Sequence, residues 1–199
     1  MLEAFLKILS KRRSTDAVYN QYEDQKVRNN LRLYYGWLLE HEHNVLIVGE
    51  AAGYMGCRHT GIPFTSGNII YGSYHEIFRD IGKQIKLERV VSERSAAILW
   101  GFFGEDKVIP ILWNAFPFHP HKQGQTETNR KPTMSEIEEG KEYLKFVYDI
   151  FKPKKLCSLG RVAEKALKEL FPLEEIIYIR HPSYGGKRDF IKGMKRTLS

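Results

Sequence analysis

Val45-Leu46-Ile47-Val48 is an unbroken apolar run of strand length that closes on Gly49 and opens into a glycine-rich stretch. A strand apolar on both faces has to be covered on both faces, which places it in a parallel sheet flanked by helices. Runs of similar character recur at 108–113, 155–159 and 175–179. Pro110 removes one ladder donor from the second of these and assigns its early part to the periphery.

Helical patterns separate the strands. Leu31, Tyr34, Tyr35, Leu38 and Leu39 recur at helical intervals and stop at the polar cluster Glu40-His41-Glu42-His43-Asn44. Across 134–151, Ile137, Gly140, Leu144, Val147 and Phe151 form a stripe, and Thr133-Met134-Ser135-Glu136 ahead of them matches a capping box. Another helix is predicted from about 161 to 171, with Val162, Ala166, Leu167 and Leu170 on one side and Pro172 as its stop.

Strands alternating with helices imply right-handed crossovers. The fold class read from this is α/β: a three-layer α/β/α sandwich with a four-stranded, mostly parallel sheet. A length of 199 residues with 42% hydrophobic and 13% aromatic content sustains one buried core and excludes a disordered or fibrous chain. Residues 1–16, basic at Lys11-Arg12-Arg13, are read as an N-terminal extension, and 17–199 as the domain.

No run approaches the roughly 20 apolar residues of a membrane span, and Met1–Lys7 lacks the features of a secretory signal, so a cytoplasmic location away from membranes is expected. Cys57 and Cys157 suit neither a disulfide framework nor a zinc or iron–sulfur site. His41, His43, His119 and His121 form His-x-His pairs without a third ligand at motif spacing, so solvent-facing or capping roles are expected and no metal. The net charge of +7 suits a polyanionic partner, and the excess is uneven. From 180 to 199 six basic residues stand against Asp189 alone.

In a sheet of this kind ligands bind beyond the carboxyl ends of the strands. After Val48 come five glycines in the nineteen residues 49–67, with Glu50 as the one carboxylate. The Walker lysine and the GxGxxG spacing are both missing from that loop. After Trp113 comes Asn114, whose amide offers donor and acceptor side by side, the complement of a pyrimidine's imide edge. After Ile179 comes Arg180-His181-Pro182-Ser183-Tyr184-Gly185-Gly186.

Together these segments resemble the uracil-DNA glycosylase superfamily. The residues that carry the likeness are Gly49-Glu50-Ala51-Ala52-Gly53, Thr60-Gly61-Ile62-Pro63-Phe64, Asn114 at a strand end, Asn129-Arg130-Lys131-Pro132 before a helix, and His181-Pro182-Ser183. The nearest branch is the bacterial and archaeal one whose first motif reads Gly-Glu-Ala-Pro-Gly. Ala52 stands here in place of its proline, and the cysteines of its iron–sulfur cluster are absent. In the best-known branch the third place of that motif is acidic, and here it is Ala51.

The resemblance implies a monofunctional glycosylase that flips uracil or a related deaminated base out of DNA and hydrolyses its glycosidic bond without a cofactor, as a monomer. Gly49, Glu50, Phe64 and Asn114 would hold the base, with Phe64 stacking and Asn114 reading its edge. Glu50, His181 and Asn114 would be catalytic: Glu50 orients water, and His181 donates to the departing base. Ser66, Arg130, Ser183, Tyr184, Lys187 and Arg188 would contact DNA.

Structural roles stay open beside these: core filling for Phe64, turn formation for Asn114, a loop cap for Glu50, a backbone-held strand terminus for His181. Two other functions also stay open, a non-catalytic nucleic-acid binder of the same fold and a small-molecule nucleotide or phosphate enzyme using the 49–67 loop.

Overall fold

The computed structural model describes residues 1–104 and 108–198. The chain begins with helix α1 (Leu2–Leu9), a short strand β1 (Val18–Tyr19), α2 (Gln25–Leu39) and β2 (Val45–Ala51). The glycine-rich stretch then breaks into three short helices, α3 (Cys57–Thr60), α4 (Gly67–Gly72) and α5 (Glu76–Ile81), followed by α6 (Arg94–Phe103). The second half runs β3 (Ile111–Phe116), β4 (His119–Pro120), α7 (Met134–Phe151), β5 (Lys155–Leu159), α8 (Arg161–Leu170), β6 (Ile176–Ile179) and α9 (Lys187–Leu198).

β3, β2, β5 and β6 form a parallel four-stranded sheet in that spatial order, and β1 pairs antiparallel with β4 in a separate ribbon. The sheet is the expected one, with shifted boundaries. β3 starts at Ile111 rather than 108, so Pro110 falls outside the ladder, and both β2 and β3 run on past their apolar cores to the pair Ala51 and Phe116. Gly49, Glu50 and Asn114 therefore sit within paired strands rather than in loops after them.

The capping box of α7 is formed in full: the Glu136 amide donates to Thr133 Oγ1 at 3.2 Å and the Thr133 amide to Glu136 Oε2 at 2.7 Å. Gly140 sits where α7 crosses β3, and a Cβ there would lie 1.9 Å from the Ala115 carbonyl oxygen.

Residues 1–16 do not stand apart as an extension. Leu2, Phe5, Leu6 and Leu9 repeat at helical spacing, and Phe5, Leu6 and Leu9 are buried in the common core, with the Phe5 ring 5.4 Å from that of Trp113. The basic residues that follow are tied down too: Arg12 pairs with Glu139 and lies over the Phe118 ring. Among the described residues no helix is long and apolar enough to cross a membrane.

Candidate active site

The carboxyl ends of β2 and β3 bring Gly49 and Asn114 side by side as a register pair. Phe64 closes over them. A Cβ built on Gly49 would lie 2.1 Å from Phe64 Cζ and 2.9 Å from Asn114 Oδ1, so only a glycine lets ring and carboxamide meet at this point.

Phe64 reaches the slot through the turn at 60–64, which is held at several points. The Thr60 hydroxyl accepts from the Ile62 amide and lies 3.1 Å from the Thr65 carbonyl oxygen, tying the turn across its base. Gly61 has φ +73 and is pressed against Val27, Ile62 is fully buried, and Phe64 itself has φ 54. A positive φ on an aromatic residue is strained and persists only where its surroundings over-determine it. Here the Trp100 indole N–H, 3.1 Å from the Phe64 carbonyl oxygen and 3.2 Å from Thr65 Oγ1, provides that restraint.

Asn114 is 3% exposed, and among the described residues its carboxamide has no hydrogen-bond partner. Its donor and acceptor are therefore not committed within the chain and are open to a ligand. Glu50, the next residue along β2, is half-buried. Burial raises its pKa above the usual carboxylate value, and the charge of Lys131 draws it back.

His181 follows β6, two strands from β2 in the sheet order, and its Cβ lies 3.9 Å from a Cβ built on Gly160, just past the end of the intervening β5. The Ser183 amide donates to His181 Nδ1 at 3.2 Å and the Ser183 hydroxyl lies 2.6 Å from the same atom. An amide can only donate, so Nδ1 carries the lone pair and a neutral ring carries its proton on Nε2. Burial, with the charge of Arg180 beside it, lowers the His181 pKa and favours that neutral ring.

Other expected site residues are placed differently. Arg130 is consumed internally: both guanidinium ends bind Glu136, at 2.6 and 2.7 Å, while Nε donates to His121 O and Nη2 to Ala17 O. It locks the ribbon to α7 and has no free face for phosphate. Asn129 accepts from the Tyr54 amide. Ser66 is buried at the start of α4, and Ser183 is occupied with His181. Tyr184, by contrast, is 97% exposed with φ 51, and Lys187 and Arg188 stand exposed on the first turn of α9.

His41 is exposed, with Nδ1 2.7 Å from the Trp37 carbonyl oxygen at the end of α2, as expected of a capping residue, whereas His119 and His121 are more buried than a solvent-facing role requires. His119 is fully buried between the carbonyl oxygens of Ala52 and Thr126, and His121 is stacked beside it. His41 stacks on Trp37, and His43 contacts the Ile109 carbonyl. No group of three or more His, Cys, Asp or Glu that could hold a metal occurs among the described residues. Both cysteines are free and buried, with thiols pushed up to about 12.

Glu93 has no counterpart in the sequence reading. Its carboxyl group fills the space over two glycines of the loop after β2, with Oε2 only 1.7 Å from a Cβ built on Gly56 and 3.4 Å from one on Gly53. The Ser95 hydroxyl holds Oε1, and burial raises its pKa. Nothing in the local sequence announces it, because its partners lie about forty residues upstream.

Two clefts, of about 540 and 380 Å³, lie elsewhere, one at the opposite ends of the strands and one between β6 and α9; neither is lined by Glu50, Phe64, Asn114 or His181. The slot at Gly49 is a narrow rim feature closed by the Phe64 ring.

The crystal structure of wild-type SMUG2 from Pedobacter heparinus superposes on this chain with a TM-score of 0.70 at 16% identity, covering 98% of this chain and 95% of that one. A likeness at that identity speaks for the fold. No curated protein sequence matches. Residues 38–195 match the sequence profile of the uracil DNA glycosylase superfamily, a span that takes in β2, β3, β5, β6 and the rim they carry. The chain belongs to the uracil DNA glycosylase superfamily.

Proposed function

We propose that this protein is a monofunctional DNA glycosylase that extrudes uracil or a related deaminated base and hydrolyses its N-glycosidic bond. The observation that carries this reading is the slot at Gly49: an aromatic ring and a carboxamide with no hydrogen-bond partner among the described residues meet over a residue that has no side chain. A pyrimidine stacked on Phe64 would give Asn114 its missing partners, the amide oxygen accepting from N3–H and the amide nitrogen donating to O4. Extrusion costs a few kcal/mol of unstacking, which stacking and the satisfied carboxamide offset.

Breaking the bond puts negative charge on the departing base and positive charge on the sugar. The neutral ring of His181, with its proton on Nε2, supplies a donor to the base oxygen; Ser183 fixes that tautomer by occupying Nδ1. Glu50, as a carboxylate, orients water and favours the cationic sugar. The exposed Tyr184, beside Gly185 at φ 77, is the wedge that fills the place of the extruded base. No step calls on a cofactor.

The test is release of free uracil from a deoxyuridine oligonucleotide, read as alkali-labile strand breaks, across a panel of damaged bases in single and double strands. Loss of release in His181→Ala and Asn114→Ala, by about 10²–10³ for a single donor, supports the roles given. Wild-type rates in both overturn them. Tight DNA binding with no release of any base leaves a non-catalytic binder of the same fold.

A further inference from the structure

The C-terminal basic residues differ from those of α7 and α8 in having no carboxylate to neutralise them. On α8, Arg161, Lys165 and Lys168 are all bound to Glu164 or Glu169, and on α7, Lys141 and Lys145 are likewise paired. Among the described residues, Arg180, Lys187, Arg188, Lys192, Lys195 and Arg196 form no ion pair at all.

Two of them also oppose their own helix. Lys187 and Arg188 occupy the first turn of α9, where the dipole favours negative charge, and only Asp189 answers it. A local arrangement that costs stability without compensation inside the chain points outward, to a ligand.

Their placement is ordered. α9 lies across edge strand β6, burying Phe190 and Met194, and Gly193 lets it come close: a Cβ there would lie 3.1 Å from Ile179 Cγ2. Arg188, Lys192 and Arg196 then repeat at four-residue steps as an exposed row. Between this row and β6 runs the cleft of about 380 Å³, lined by Tyr178, Arg180, Asp189, Lys192, Gly193 and Arg196. The Tyr178 ring is itself covered by the Arg161 guanidinium at 4.0 Å. From Arg188 to Arg196 the row spans about 12 Å, the length of three to four nucleotides at about 3.4 Å each. It starts four residues beyond Tyr184.

We infer that the β6–α9 groove is a second DNA contact, separate from the base slot, in which Arg180, Lys192 and Arg196 grip the phosphates of the strand running away from the extruded nucleotide. Charge complementarity and continuity with Tyr184 select a nucleic-acid backbone as the occupant. The inference depends on the glycosylase reading only for the position of that strand relative to the slot.

The experiment measures affinity for undamaged single-stranded and duplex oligonucleotides by fluorescence anisotropy over a salt series. It compares the wild type, Lys192→Ala/Arg196→Ala and a control, Lys165→Ala/Lys168→Ala, that removes the same net charge from the paired surface of α8. Loss of two phosphate contacts lowers the slope of log K against log salt by about 1.4 for a single strand or about 1.8 for a duplex. That loss is expected in the α9 variant and not in the control, with Lys192→Arg/Arg196→Lys restoring most of it.

Melting temperature stays unchanged, since every substituted side chain is exposed, and the excision rate at saturating substrate stays near wild type. An unchanged slope in the α9 variant, or an equal loss in the control, overturns the inference. Because the probe carries no damaged base, a protein that excises nothing yet loses slope only in the α9 variant would refute the glycosylase reading and leave the groove standing.

Discussion

Gly49→Ala tests the base slot with one methyl group. The added carbon would stand 2.1 Å from Phe64 Cζ, 3.0 Å from Phe64 Cε1 and 2.9 Å from Asn114 Oδ1. Carbon atoms in contact sit about 3.5–4.0 Å apart, so the ring tip has to retreat by about 1.5 Å. It has little freedom to do so. The backbone of Phe64 is already at φ 54, its carbonyl is held by Trp100, and the residue is 9% exposed. Overpacking of this kind costs about 1–3 kcal/mol, or about 2–12 °C in Tm for a chain of this size.

The effect on chemistry is expected to be larger than the effect on folding. Displacing a positioning group by about 1 Å costs about 10²-fold, and Phe64 and Asn114 both move, so kcat/KM for uracil release falls at least about 100-fold. Gly101→Ala on α6, where a Cβ meets nothing within 4 Å, is the control and gains about 0.5–1 kcal/mol with activity intact. A folded Gly49→Ala protein that releases uracil within about threefold of wild type would refute the geometry from which the substrate was read.

Three further outcomes follow from the same contacts. The pH profile of kcat/KM should rise with pH and level off by neutrality. The lowered pKa of His181 leaves its ring neutral above the ordinary histidine value of 6.5, while the raised pKa of Glu50 sets an ionisation above 4.5 that Glu50→Gln removes; maximal activity at pH 5 would contradict both assignments. Glu93→Gln should raise the melting temperature at pH 8 and leave it unchanged below pH 4. A carboxyl whose folded pKa lies above its unfolded 4.5 gives stability that is present in acid and lost as pH rises through the folded value; equal pH dependence in variant and wild type would place that group in solvent. Gly140→Ala should destabilise by about 3 kcal/mol, because its Cβ would meet the backbone carbonyl of Ala115 at 1.9 Å, whereas Gly36→Ala, with open space, should not; similar denaturation midpoints for the two would refute the close approach of α7 to β3.

The parts of this protein that could be read from its sequence are those fixed by local chemistry. An apolar run with no polar break becomes a strand buried on both faces, as Val45–Val48 of β2 does, and a Thr-x-x-Glu ahead of an apolar stripe becomes a capped helix, as α7 does. The helix at 2–9 carried the same kind of stripe, and only the basic residues after it argued for an extension.

What could not be read depends on partners distant in sequence. Arg130 has the composition of a phosphate clamp, and folding brings it the Glu136 carboxylate and three carbonyls, that of Ala17 from 113 residues upstream, leaving no open face. Glu93 has no motif, yet it closes over the loop that leads from Glu50 to Phe64. A charged residue's type sets what it can bind, and the fold decides whether that capacity has already been spent inside the chain. By that criterion the unpaired cations of α9 are open to DNA and Arg130 is not, and the slope of log K against log salt should fall by about 0.7–0.9 for each α9 phosphate contact removed.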